Sequence, residues 1–288
     1  MPPIPYHSLR SDLYTPGLAP TVFKQGDTPS VSALCAECSR LVYKRFDDSQ
    51  AAATEVAEAL ARVGCGEPRF FFRGDAQAFV TTAPEGMAII AFRGTEPEPR
   101  DVLTDLEALL VPWPRGGYVH SGFAVSFQLL WPEIQVLLIE MAMPVLFTGH
   151  SLGAALATLA VSGWASKTPA RLLTFGSPRV GNGTFVSTLK GVEVSRYVDC
   201  CDLVARVPPP GLEIGPVQAG YQHVHEDEPI YIDRHRVVRN GMTLSEIRND
   251  QFHAQEEYIL HYAWRLGTVA IRDLADHAPM NYVSPLLA

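Results

Sequence analysis

The chain has 288 residues, 47% of them hydrophobic, enough to bury a large core as one α/β domain. Its net charge of −8 argues against nucleic acid as a partner, because phosphate binding needs clustered Lys and Arg. Five cysteines spread over so long a chain do not make a disulfide framework, and they suit a reducing compartment. No run reaches the roughly 18 consecutive apolar residues that span a bilayer. Met1–His7, rich in proline, lacks the apolar stretch of a secretory leader. Together these features predict a cytoplasmic protein.

In chain order, residues 1–28 are Pro- and Gly-rich without sustained periodicity and predict an extended surface arm. Residues 29–288 read as a single domain. Val31–Phe46 and Ser49–Val63 carry apolar residues at helical spacing. Arg69–Phe72, Ala78–Thr82 and Met87–Phe92 predict short strands that open a mixed sheet in antiparallel fashion. Arg100–Leu110 predicts an amphipathic helix, and Ser121–Val136 a helix broken at Pro132. Strand and helix then alternate: a strand ending at Phe147, a helix over Ser151–Trp164, strands at Arg171–Phe175 and Val192–Val198 with a helix near Asn182–Leu189 between them. The tail adds a β-like stretch over Tyr221–Ile232, a helix over Phe252–Leu266 and a short helix before Asp276. This alternation predicts an α/β fold.

One motif carries chemistry. Residues 149–153 read Gly-His-Ser-Leu-Gly, a Gly-x-Ser-x-Gly sequence at a strand-to-helix turn. Only small neighbours permit so sharp a turn, and Gly149 and Gly153 supply them. The turn lifts the hydroxyl of Ser151 clear of the sheet, beside the free N–H groups of a helix N-terminus. Ser151 is therefore the candidate nucleophile. A serine needs a base, an acid that orients the base, and donors for the developing oxyanion. Asp199 and Asp202 stand at the end of one strand, and six histidines follow them: His223, His225, His235, His253, His261 and His277. Cys35-x-x-Cys38 lies in a helix without a second pair at zinc spacing, so buried thiols are expected, with no metal and no cofactor. Cys200 and Cys201 adjoin the candidate acid.

Seven ordered blocks resemble the class 3 (fungal-type) lipases of the α/β-hydrolase superfamily. They are Ala91–Thr95 (AFRGT), Asp101–Leu106 (DVLTDL), Val119–Phe123 (VHSGF), Thr148–Ala154 (TGHSLGA), Thr174–Arg179 (TFGSPR), Asp202–Val204 (DLV) and Tyr221–Val224 (YQHV). The resemblance implies an α/β-hydrolase fold, with a mixed, mostly parallel central sheet flanked by helices and a helical lid. It further implies Asp202 as the acid, ahead of Asp199, which becomes a solvated or loop-capping carboxylate, and His277 as the base, although Tyr282 follows five residues later, later than in many members. It gives the oxyanion donors as the N–H groups of Thr95 and Leu152, and pairs Arg93 with Asp105. His150 and His120 become structural residues, and the lid falls at about Glu96–Pro112, a segment that otherwise reads as an ordinary surface helix, with Leu103 and Leu106 facing substrate and Trp113 either lining the acyl groove or anchoring the lid hinge.

The chemistry so implied is acyl transfer from an ester to Ser151 and then to water, with activity rising with pH as the base loses its proton. An acylglycerol-type lipid ester is the leading substrate, with a phospholipid or short soluble ester as the alternative. A catalytically silent hydrolase fold used for binding is the non-enzyme alternative. Transient contact with a lipid surface fits the lid. Oligomeric state is left open by the sequence.

Overall fold

The computed structural model describes residues 4–94, 109–164, 168–210, 220–226 and 228–288. The helices are α1 Arg10–Tyr14, α2 Val31–Leu41, α3 Gln50–Arg62, α4 Ser121–Met141, α5 Leu152–Gly163, α6 Gly183–Ser187, α7 Leu244–His261, α8 Arg272–Ala275 and α9 Pro279–Leu286. The strands are β1 Arg69–Arg73, β2 Ala76–Thr82, β3 Ala88–Phe92, β4 Leu110–Pro112, β5 Tyr118–His120, β6 Val145–His150, β7 Ala170–Phe175, β8 Gly181–Asn182, β9 Glu193–Asp199, β10 Tyr221–Gln222, β11 Ile230–Ile232 and β12 Val238–Arg239.

The main sheet runs β1-β2-β3-β6-β7-β9-β11-β12. Its centre, from β3 to β11, is parallel, and both edges are antiparallel, as expected for the opening hairpins. A strand sends alternate side chains to opposite faces. Ile89, Ala91, Leu146 and Leu173 accordingly join one core, under α2, α3 and α9, whereas Ala88, Ile90, Phe92, Val145 and Phe147 join the other, under α4 and α5. A central strand covered on both faces must be apolar throughout, and β3 is fully buried from end to end. The four-stranded sheet β10-β8-β5-β4 lies apart from the first.

Four local expectations change. The arm is not simply extended: it contains α1 and a 3₁₀ turn at Pro16–Leu18, and Phe23 is buried in the core. The buried Arg40 explains its course, since Arg40 pairs with Glu37 at 2.6 Å and donates to the carbonyls of Pro16, Ala19 and Pro20. Pro132 does not break α4, because Phe127 and Trp131 before it and Ile134 and Leu138 after it are buried together, outweighing the ~3 kcal/mol that an interior proline costs. Helix α7 begins at Leu244, eight residues before Phe252, because Thr243 and Glu246 form a capping box, and it stops at His261 rather than Leu266. The lid helix expected over Glu96–Pro112 falls largely outside the described residues, as do Thr95, Leu103, Asp105 and Leu106, and Leu110–Pro112 is a strand paired with β5.

Candidate active site

The turn between β6 and α5 places Ser151 at φ 58°, ψ −129°, a backbone conformation that a non-glycine residue adopts only under constraint. The constraint is visible in its neighbours. A Cβ on Gly149 would stand 2.2 Å from the carbonyl carbon of Gly153, and one on Gly153 would stand 2.1 Å from the carbonyl oxygen of Phe92. No side chain fits at either place, so strand, helix and β3 close on the serine from three sides. The Ser151 N–H is bonded to the Phe175 carbonyl at 3.0 Å, fixing the turn to β7. Leu152 opens α5, where the first amides lack an intrahelical acceptor and the helix dipole favours negative charge.

Asp202 follows the carboxyl end of β9, and His277 lies between α8 and α9. The two meet: His277 Nδ1 is 2.8 Å from Asp202 Oδ2. A carboxylate accepts, so Nδ1 carries the hydrogen and Nε2 keeps its lone pair. The other oxygen, Oδ1, accepts the Val204 N–H at 2.8 Å, and Tyr282 donates its hydroxyl to Oδ2. Burial, then the negative charge of Asp202, pushes the Tyr282 pKa well above its ordinary value, so the phenol remains a donor. Tyr282 oxygen in turn accepts the Asp199 N–H at 3.1 Å.

His150 joins the turn to His277. Its ring centroid is 4.5 Å from that of His277, and its Nε2 donates to the His277 carbonyl at 2.8 Å. Because a carbonyl only accepts, Nε2 holds the hydrogen and Nδ1 accepts from Tyr43 O–H at 2.9 Å. Burial, aided by neighbouring His277, lowers the His150 pKa well below the usual histidine value, consistent with this neutral tautomer. His150 thus packs and hydrogen-bonds beneath the turn.

Other candidates lie elsewhere. Asp199, read as a solvated or loop-capping alternative to Asp202, is instead fully buried and receives Arg236 Nη1 on both oxygens, at 2.7 and 2.8 Å. His223 Nε2 donates to the Ala205 carbonyl, while His225 is exposed beside Glu228. His120 stacks on Phe123. Trp113 is a core residue: its indole donates to Ser162 Oγ at 3.0 Å and its ring meets Phe127 and Phe185. All five cysteines are free and buried. Among the described residues, Cys200, Cys201 and Asp276 bring ligand atoms within 4.8 Å of one another, but Arg272, Tyr6 and a backbone N–H already occupy the carboxylate.

Tyr282 was legible only as a tyrosine slightly late after His277, and its bond to Asp202 was not foreseen. Tyr43 gave no sequence signal at all, since it stands in the turn after α2, far from every motif.

Residues 89–212 match the profile of the family described as Lipase (class 3). A lipase of Rhizopus niveus is 33% identical over 135 residues, 42% of this chain and 34% of that protein. A secreted mono- and diacylglycerol lipase of Malassezia restricta is 29% identical over 153 residues, 46% of this chain and 49% of that protein. The chain thus spans between a third and a half of these relatives' length. In fold, it is similar to the triacylglyceride lipase of Rhizomucor miehei, with TM-score 0.55 and 23% identity over 70% of this chain and 77% of that one. The shared architecture is the α/β-hydrolase fold. The expectation of a cytoplasmic protein is overturned by these likenesses, which include a lipase named as secreted.

Proposed function

Because the chain belongs to the class 3 lipase family, we propose that it is a serine ester hydrolase that cleaves lipid acyl esters, acylglycerols foremost, with Ser151, His277 and Asp202 as its triad. The observation that carries this reading is the linked set of contacts from Asp202 through His277 to His150, the residue adjoining Ser151. In the proposed cycle Ser151 Oγ attacks the ester carbonyl carbon as His277 Nε2 takes its proton. Asp202 holds the resulting imidazolium, and the N–H groups of Leu152 and Thr95 receive the oxyanion. The alcohol leaves with the proton from His277, and water repeats the attack to release the acid. The lid segment that begins at Glu96, including Leu103 and Leu106, would cover the acyl chain. The secreted relative supports a working place outside the cell.

The test is an ester series from short p-nitrophenyl esters to emulsified acylglycerols and phospholipids, run with wild type and Ser151→Ala. Hydrolysis of acylglycerols by wild type, reduced on the order of 10⁴-fold or more in the variant, is expected. Equal hydrolysis by both proteins would remove Ser151 from the reaction.

A further inference from the structure

We propose that Asp276 is a positioning residue that sets the spacing of acid and base, and that Tyr6 of the N-terminal arm holds it there. The inference rests on the proposed roles of Asp202 and His277. Asp276 immediately precedes His277, and its Oδ2 accepts the backbone N–H of Cys201, the residue immediately before Asp202, at 2.8 Å. One carboxylate therefore bridges the two backbone segments whose next residues make the 2.8 Å His277–Asp202 bond. The bridge is itself gripped. Oδ1 accepts Tyr6 O–H at 2.7 Å, and Oδ2 also accepts Arg272 Nε at 3.1 Å. Asp276 is fully buried, so these donors have no competition from water.

Tyr6 is fixed in turn. The guanidinium groups of Arg236 and Arg272 lie over its ring, 5.5 and 5.2 Å from the centroid. Its neighbour His7 exchanges two hydrogen bonds with Asn281, N–H to Oδ1 at 2.9 Å and Nδ2 to carbonyl at 2.8 Å, and Asn281 also donates to the Ala275 carbonyl. The first described residues of the chain thus clasp the loop that carries the base, some 270 positions away in the sequence. The loops have other ties that do not involve Asp276, namely Leu203 N–H to the Asp273 carbonyl at 3.0 Å and an Arg206–Asp273 ion pair. Losing the bridge should therefore leave them docked while loosening the spacing, and a displacement of about 1 Å can cost about 100-fold in rate.

Asp276→Asn keeps the shape of the side chain but cannot accept from all three donors, and Tyr6→Phe removes one donor and keeps the ring. Both variants are to be measured per active site, counted by a fluorophosphonate that labels Ser151. Asp276→Asn is expected to lower kcat about 30- to 100-fold with KM within about twofold, and Tyr6→Phe to lower it about 3- to 10-fold. The charged and titratable groups facing His277 are Asp202, His150 and Tyr282, with Asp276 next in the chain. A looser acid and one less negative charge both disfavour the imidazolium, so the acid limb of kcat/KM should move to lower pH in Asp276→Asn. The low-field NMR signal of the His277 Nδ1 proton should shift upfield in the same variant, a readout that needs no turnover. Unchanged per-site kcat, pH limb and proton signal in Asp276→Asn would overturn the proposal, even if fewer sites were labelled or the melting temperature fell. A wild type that hydrolyses no ester would defeat the functional reading alone, since the NMR comparison would still decide the positioning role.

Discussion

Tyr282 and His277 donate to the same oxygen of Asp202, and the same phenol accepts the N–H of Asp199 three residues earlier. Asp202 is thus held from α9 as well as from its own loop. Tyr282→Phe keeps the ring in the core and removes both bonds. We expect kcat to fall about tenfold, equivalent to ~1.4 kcal/mol, with KM little changed, and urea unfolding to show a loss of about 1–3 kcal/mol from the buried Asp199 N–H. Normal kcat in Tyr282→Phe would show that the acid needs no second donor.

Gly176 faces the same group. A Cβ there would stand 2.6 Å from Asp202 Oδ2, 2.9 Å from Tyr282 Oη and 3.1 Å from His277 Nδ1, at φ +57°. Gly74 has a similar φ of +55° with nothing within 4 Å of its Cβ position. Gly176→Ala and Gly74→Ala therefore carry a comparable backbone cost of about 1 kcal/mol, while only the first pushes the acid and base apart. Gly176→Ala should lose about 100-fold or more in kcat, and Gly74→Ala should retain wild-type kcat. Equal losses in both would trace the effect to backbone strain.

Acid lability follows from two buried histidines. Burial lowers the pKa of His150 and of His223 well below 6.5, with neighbouring His277 adding to the first and Arg196 and Arg179 to the second. Below the unfolded pKa the unfolded chain binds a proton at each site that the native state refuses. The stability they contribute is full above about pH 6.5 and is lost as pH falls toward the native values, at about 1.4 kcal/mol per pH unit for each histidine. Urea titrations should show no such slope between pH 7.5 and about 6.5 and this slope from there down to about pH 5. In His223→Gln it should be shallower by about 1.4 kcal/mol per unit, and an unaltered slope would mean that His223 is not buried neutral.

Chain-length preference separates two roles near the site. Leu103 and Leu106 belong to the proposed substrate cover, whereas Trp113 is buried against Phe127, Phe185 and Ser162. Leu103→Ala and Leu106→Ala should change the ratio of long- to short-acyl ester hydrolysis by about fivefold, as expected for ~1 kcal/mol of lost apolar contact. Trp113→Phe should lower stability and leave that ratio alone. The opposite pattern would place Trp113 on the acyl chain and withdraw the leucines.

The serine turn was legible because its physics is local: two glycines, an apolar strand before them and an alanine-rich helix after. The central strands were equally plain, since burial on both faces forces apolar runs such as Ala88–Phe92. What escaped depended on partners distant in sequence. The arm looked extended because its order comes from Arg40 and from the C-terminal loop, not from its own periodicity. Asp199 looked solvated because Arg236 lies 37 residues away. Helix α7 was placed too late because exposed apolar residues such as Leu260, Trp264 and Leu266 mimic a buried face that continues past its end at His261. Localisation followed from composition and the N-terminal residues, which carry no information about export by themselves.

The most direct measurement is mass-spectrometric mapping of a fluorophosphonate adduct on wild type, Ser151→Ala and His277→Ala. The account expects one adduct on Ser151 in the wild type, none in Ser151→Ala, and labelling slowed at least about 100-fold in His277→Ala, because only the base makes the hydroxyl nucleophilic. Labelling of another residue, or of Ser151 at the same rate without His277, would contradict it.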